Sequence, residues 1–244
     1  MNQSRIWSYF QDERIDVFSH ANPRLRYLAG QAKKLVQSPS PLALNIGVGN
    51  GFLEDYVMEE GWRIRSLDPC EAPIKRLREK GLEAEVGCIE ALPYEDSTFD
   101  VVFCSEILEH LSSEQLRTGL KEVFRVLKAG GYFLGTVPNK ENLNDNIVIC
   151  PGCGQIFHRW GHQQEFDQER LSSLFPEGLK VLVVRAELFI RWDGLNLKRR
   201  VAAFIKLLLF YLGSHGSNET LYFLLRKSPR REKESYGLCA GETK

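Results

Sequence analysis

The sequence has no excess of charge of either sign: 32 Lys and Arg stand against 32 Asp and Glu. A broad basic surplus is what neutralises phosphates, so nucleic acid is not the expected partner. Long hydrophobic runs are also missing. The nearest one, Val201 to Leu212, contains Lys206 and falls short of the roughly 20 residues that a membrane-crossing helix needs. The first residues, MNQSRIWSYFQDER, lack the apolar centre of a secretion signal, so a cytoplasmic chain is expected. Cysteine is sparse, with six in 244 residues. Cys70, Cys88, Cys104 and Cys239 follow no pattern. Cys150 and Cys153 form a CxxC, which in a reducing compartment points to metal or redox chemistry rather than to a disulfide. No internal repeat is present.

What remains is an ordinary globular balance, 43% hydrophobic and 26% charged, enough for a sizeable core. The length suits one α/β domain with insertions. Residues 1–40 read as one or two helices, with apolar stripes at Trp7, Phe10, Ile15, Phe18 and at Leu25, Leu28, Ala32, Leu35. From Leu42 strands and helices alternate. Strands are expected at 42–46, 62–67, 82–86, 99–104, 131–137, 179–190 and 219–226, and helices at 52–60, 71–80, 112–128, 167–175 and 195–212. Ser112 with Gln115 fits a capping box at the start of the clearest helix, and Gly130 follows its end. Strands separated by helices imply right-handed crossovers and a mostly parallel sheet.

The most informative stretch is Asn45-Ile46-Gly47-Val48-Gly49-Asn50-Gly51, between the first strand and its helix. Glycines there let the backbone bend tightly and approach a ligand closely. The turn lies at the carboxyl end of a parallel strand, where such sheets bind ligands. Asp68 ends the second strand, and a carboxylate at that point can accept both hydroxyls of a ribose. The spacing is GxGxG. The nicotinamide fingerprint GxGxxG would need its third glycine where Phe52 stands. A tight turn without any ligand is the plain alternative.

Over 42–137 the chain resembles the class I S-adenosylmethionine-dependent methyltransferases of the UbiE-like type (methyltransferase type 11). LNIGVGNG resembles the family's first motif and LDPCEAPI its ribose motif. GCIEALPYEDSTFDVVFCSEILEHL resembles its adenine and fourth-strand motifs, and LKEVFRVLKAGGYFLGTVPN its fifth-strand block. The resemblance implies a Rossmann-like fold with a mostly parallel seven-stranded sheet and helices on both faces. By position it implies that Asn45, Gly47, Gly49 and Gly51 meet the methionine part of S-adenosyl-L-methionine. It further implies that Asp68 holds the ribose, Cys88 and Ile89 flank the adenine, and Ser105 and Glu106 face the methionine end or the acceptor. Two positions depart from the family pattern. Asn45 stands where an acid is usual, and Cys88 stands where an aspartate usually meets the adenine amino group.

Methyl transfer needs alignment more than acid–base chemistry. Where the acceptor must lose a proton, His110 is the candidate base, because it follows the fourth strand and histidine titrates near neutral pH. A hydrogen-bonded structural histidine is the alternative.

Beyond the fifth strand, Cys150-Pro-Gly-Cys153 is followed by His158 and His162. Two thiolates and two imidazoles match the tetrahedral preference of Zn²⁺, and four protein ligands would make a structural site bracing the insertion. An unmetallated loop and a redox CxxC are the alternatives. Residues 195–213 combine Lys198, Arg199, Arg200 and Lys206 with a heavily apolar remainder. Packing on the sheet or on a second subunit is expected, and contact with a membrane surface or a lipid-like substrate is the alternative.

The expected organisation is therefore an N-terminal helical substrate lid at 1–40 and a methyltransferase domain at 41–227. That domain carries insertions at 138–166 and 191–218, and a loose tail follows at 228–244. The expected function is S-adenosylmethionine-dependent methylation of a small-molecule or lipid-like acceptor, with a homodimer as one assembly. A methyltransferase-like binding module using the zinc insertion as an interface, and a nicotinamide oxidoreductase, are the competing functions.

Overall fold

A computed structural model describes residues 4–214, Gly216 and 219–229. Before the sheet come α1 (Ser4–Glu13), a 3-10 segment at Ile15–Ala21, and α2 (Asn22–Leu35). Pro23 sits in the first turn of α2, where its missing N–H leaves no bond unmade. There follow β1 (Leu42–Ile46), α3 (Phe52–Glu59), β2 (Arg63–Asp68), α4 (Glu71–Glu79), β3 (Glu83–Val86) and β4 (Phe99–Ser105). Next are α5 (Ser113–Val126) and β5 (Leu127–Pro138), then a two-stranded ribbon of β6 (Ile147–Ile149) and β7 (Ile156–His158). The chain continues through α6 (Gln168–Leu174), β8 (Leu179–Glu187), α7 (Leu197–Tyr211) and β9 (Thr220–Lys227).

The seven-stranded sheet has the order β3-β2-β1-β4-β5-β9-β8. Its first five strands are parallel, and β9 runs antiparallel to both β5 and β8. This is the expected Rossmann-like sheet. Adjacent residues of the central strands face opposite sides. Val102 and Phe133 join Leu116, Leu120, Val123 and Leu171 on one face. Val101, Phe103 and Leu134 join Leu28, Ala32, Leu53 and Val57 on the other.

The capping box of α5 forms. Gln115 N–H donates to Ser112 Oγ at 3.3 Å, and Ser112 N–H donates to Gln115 Oε1 at 3.1 Å. The helix stops before the expected Lys128, because Leu127 is already extended and pairs with Phe99. A register shift between Phe99 and Val101 then separates this pair from the regular part of β5. The β6–β7 ribbon was not visible as a pair of strands in the sequence.

The apolar helix does not pack on the sheet, the first of its two expected arrangements. No residue of α7 is buried; Leu197 is 77% exposed and Phe204 60%. The reason is topological. The neighbours β8 and β9 are antiparallel and need no crossover, so the excursion between them covers no sheet face. Among the described residues no helix is long and apolar enough to cross a membrane. The expected loose tail lies outside the described residues from position 230 on, and with it Cys239.

Candidate functional site

The strand order reverses between β1 and β4, which opens a crevice at their carboxyl ends. The loops after these two strands line it and touch each other. Gly47, Gly49 and Gly51 all have positive φ, at 87°, 58° and 79°. A Cβ on Gly47 would lie 2.3 Å from Ile107 Cδ1 in the loop after β4. At this position only glycine satisfies both the backbone and the contact.

Asp68 ends β2 beneath this turn and is 5% exposed. Its Oδ2 accepts the Val48 N–H at 2.9 Å and its Oδ1 accepts the Cys70 N–H at 2.8 Å. Burial pushes its pKa up against the pull of those bonds. Each oxygen retains lone pairs for further donors.

Asn45 is 2% exposed and is turned into the core. Its Nδ2 donates to Glu54 Oε1 at 2.8 Å and to Gly47 O at 3.3 Å. Glu54, wholly buried on α3, also accepts the Ser66 hydroxyl at 2.7 Å. The acid usual at position 45 is therefore replaced by an acid on the helix, with the amide as its partner. Burial raises the Glu54 pKa, and the bonds from Asn45 and Ser66 oppose the rise.

Cys88 is exposed as a residue, and partial desolvation of its thiol, with the charges of Glu90 and Asp68, pushes the thiol up. Ile89 is 3% exposed and belongs to the core, against Gly119. Ser105 Oγ lies 2.9 Å from Thr136 Oγ1 and accepts Arg24 Nε at 2.9 Å. Glu106 has φ 56°, a left-handed conformation unusual outside glycine, and its N–H donates to Thr136 O at 2.8 Å. Its Oε1 is buried without a hydrogen-bond partner among the described residues.

The N-terminal segment closes over the turn. Phe18 stands 3.3 Å from where a Cβ of Gly49 would be. Arg76 of α4 donates to Gln11 O and Gln11 Oε1 at 3.0 and 2.9 Å and to Gly49 O at 3.3 Å, tying α1 to the glycine turn. Trp7 meets the His110 ring edge-on at 4.8 Å.

His110 closes the short 3-10 turn after β4. Burial, with His162 beside it, drives its pKa down to about 3. It is a neutral imidazole at pH 7 and a weak base. His162 packs edge-on against it at 4.7 Å and stacks on His158 at 4.7 Å. His162 Nδ1 is hydrogen-bonded to Glu141 Oε2. Burial opposes ionisation of Glu141, yet the bond from His162 and the nearby imidazoles hold its carboxyl below the ordinary range.

The four ligands expected for Zn²⁺ are not brought together. Cys150 and Cys153 sit at the tip of the β6–β7 ribbon, where Gly154 N–H donates to Cys150 O at 2.9 Å. His158 ends β7, pairing with Ile147 at the ribbon's other end. Three residues of strand separate them, on the order of 10 Å. Among the described residues the clusters with metal-ligand spacing are Glu109, His110, His162 and Glu141, His158, His162, and neither contains a cysteine. Sequence reasoning missed Glu54, Arg76, Glu109, Thr136 and Glu141. Only Glu109 carried a signal, as the neighbour of His110.

Residues 44–135 match the family described as a methyltransferase domain. A Mycolicibacterium smegmatis protein named a probable S-adenosylmethionine-dependent methyltransferase is 32% identical over 133 residues, covering 54% of this chain and 48% of that protein. The human mitochondrial ubiquinone biosynthesis O-methyltransferase is 30% identical over 166 residues, covering 62% of this chain and 44% of that protein. The chain thus spans about half the length of these curated relatives. Among solved structures it is similar to Burkholderia thailandensis 1,6-didemethyltoxoflavin-N1-methyltransferase, which holds 1,6-didemethyltoxoflavin and S-adenosylhomocysteine. The TM-score is 0.64 at 16% identity, covering 93% of this chain and 87% of that one. The fold is the Rossmann-like fold of the S-adenosylmethionine-dependent methyltransferases, and the matched stretch contains the glycine turn, Asp68 and the loop after β4.

Proposed function

We propose that this chain is an S-adenosylmethionine-dependent methyltransferase of the UbiE-like type, acting on a lipid-like acceptor at an anionic membrane surface. The residues fit the cofactor. Gly47, Gly49 and Gly51 take the left-handed backbone that a tight turn requires, the turn lies at the topological switch point, and Asp68 ends the next strand beside it. When bound, S-adenosylmethionine supplies an electrophilic methyl group on a sulfonium sulfur. Gly47, Gly49 and Gly51 would hold its methionine part and Asp68 its ribose. Cys88 and Ile89 would flank its adenine. The chain's own work is to bind, orient and keep water out. Trp7, Phe10 and Phe18 of the N-terminal lid do the last of these, and Arg76 latches the lid to the turn.

One observation carries the acceptor's class: α7 presents an uncovered apolar surface with a basic start. Leu197, Val201, Phe204, Ile205, Leu208 and Leu209 are each 47% exposed or more. Lys198, Arg199 and Arg200 open the helix, and it contains no acidic residue. Apolar area beside one sign of charge complements an anionic bilayer surface. Beside and under the helix lies a groove of about 550 Å³, lined by Phe189, Ile190 and Ala202, with Arg191 and Arg199 and the single acid Asp193 among its walls. It suits an apolar molecule with an anionic or polar head. The human relative is named for ubiquinone biosynthesis, which supports the same acceptor class.

The test has two arms. Calorimetry with S-adenosylhomocysteine is expected to show one site per chain, and no binding sinks the methyltransferase reading. Flotation with phosphatidylglycerol-containing vesicles is expected to carry the protein, with reversal of Lys198, Arg199 and Arg200 to Glu releasing it by about fivefold per residue. A protein that stays unbound, or that covers α7 by forming a stable dimer instead, refutes the membrane arm alone.

A further inference from the structure

The carboxyl end of β4 carries side chains that cofactor binding and the lipid surface leave unused. Glu109 is wholly buried, and neither carboxylate oxygen has a hydrogen-bond partner among the described residues. His110 Nδ1 is also buried without one. One ligand atom each from Glu109, His110 and His162 lie within 4.8 Å of one another. A buried carboxylate that meets no donor is costly, and a cation is the group that would satisfy it.

We propose that Glu109, His110 and His162 bind a divalent first-row transition cation, with Glu141 holding His162 in the ligating tautomer. His162 Nδ1 faces Glu141. When that nitrogen donates its proton, Nε2 keeps its lone pair for a metal, which is the usual arrangement behind a ligating histidine. The other trio, Glu141, His158 and His162, is excluded as the ligand set on the same grounds. His158 Nδ1 accepts the His162 backbone N–H at 3.1 Å. The His158 proton therefore sits on Nε2, which has no lone pair left. Glu141 is engaged as the partner of His162 through Oε2, and its Oε1 accepts Asn146 Nδ2 at 3.1 Å.

Two imidazoles and a carboxylate are a Zn²⁺-type or Fe²⁺-type donor set, and three protein ligands leave positions open. The site therefore differs in kind from the closed cysteine–histidine site that the spacing predicted. A tetrahedron built on bonds of about 2.0–2.1 Å sets its ligand atoms about 3.4 Å apart, inside the 4.8 Å that encloses these three. An acceptor oxygen taking an open position would be held beside the cofactor crevice and made more acidic. That last role rests on the methyl-transfer reading, whereas binding of the cation does not.

The experiment uses the full chain, dialysed against chelator and titrated with Co²⁺ and then Zn²⁺, with S-adenosylhomocysteine titrated in parallel. We expect one Co²⁺ per chain, with visible bands but no thiolate charge-transfer band, displaced by Zn²⁺. Glu109→Gln and His162→Gln should each lower the affinity at least tenfold, and Glu141→Gln about 10–100-fold. The Cys150→Ser/Cys153→Ser double variant should leave both spectrum and affinity unchanged. If Glu109→Gln does not fold, the His162 and Glu141 variants decide. No bound cation, or a thiolate band that disappears in the double serine variant, overturns the proposal. Nucleoside binding without a cation refutes the site and leaves the methyltransferase reading intact. A cation without nucleoside binding does the reverse.

Discussion

Asn45→Asp would restore the acid usual in the family, and we expect it to damage this protein. The new carboxylate would sit 2.8 Å from Glu54 Oε1, where Asn45 Nδ2 now donates. The lost bond to a carboxylate is worth about 1.5–3 kcal/mol, and the bond to Gly47 O adds about 1 kcal/mol more. Two carboxyls this close in a site that excludes water cannot both ionise. At neutral pH the folded pair still holds a proton that the unfolded chain has released at about pH 4. Its folded pKa is thus raised above the unfolded value, so stability is greatest below the unfolded carboxyl pKa and is lost as pH rises. The slope is about 1.4 kcal/mol per pH unit. Glu54 alone, raised by burial, gives wild type a weaker trend of the same sign. Urea unfolding at pH 5, 6 and 7 measures this. We expect a deficit of about 3–5 kcal/mol at pH 7, in the range of a broken buried pair, shrinking toward pH 5. The double variant Asn45→Asp/Glu54→Gln reverses the hydrogen bond, because the amide then on the helix can donate to the carboxylate then on the strand. It should recover to within about 1 kcal/mol of wild type. A single variant as stable as wild type at pH 7, or a double variant no better than the single, refutes the buried pairing.

Gly47→Ala combines a left-handed φ of 87° with a Cβ 2.3 Å from Ile107 Cδ1. It should weaken S-adenosylhomocysteine binding more than tenfold by calorimetry, with partial recovery on adding Ile107→Ala; equal affinity would show that the two loops do not set the crevice. Ser112→Ala removes the side-chain acceptor of the α5 capping box and should cost about 1 kcal/mol, a drop in thermal midpoint of a few degrees. Brief iodoacetamide labelling at pH 7, read by peptide mass, should reach Cys150 first. Backbone N–H groups of Cys153 and Gly152 lower its pKa, whereas burial beside Asp68 pushes Cys70 up to about 11. Preferential labelling of Cys70 would contradict that ordering.

Much of the fold could be read from residue order. The Ser112 cap, the glycine turn and the alternation of apolar strands and amphipathic helices are local signals, each spanning a few residues. They placed the crevice and the residues around it. The antiparallel turn-back of β9 between β5 and β8 was not legible, because strand direction follows from pairing partners far apart in sequence. Nor was the buried role of Glu54, which reads as one more charge on a helix until the helix is docked.

The sequence by itself determined which backbone could bend where, since φ preferences, caps and hydrophobic period are properties of neighbours along the chain. That sufficed for a Rossmann-like sheet with a glycine turn after its first strand. Only the tertiary structure decided which side chains share a site. Cys150, Cys153, His158 and His162 lie close in sequence, yet the β6–β7 ribbon places the thiols at its tip and His158 at its other end. Glu109 and His110 lie some fifty residues upstream of His162, yet the segment at Gln163 and Gln164 is hydrogen-bonded to the Glu109 carbonyl and brings the three together. Spacing counts residues, whereas coordination and catalysis depend on distance, and strand stiffness and long-range hydrogen bonds set the relation between the two.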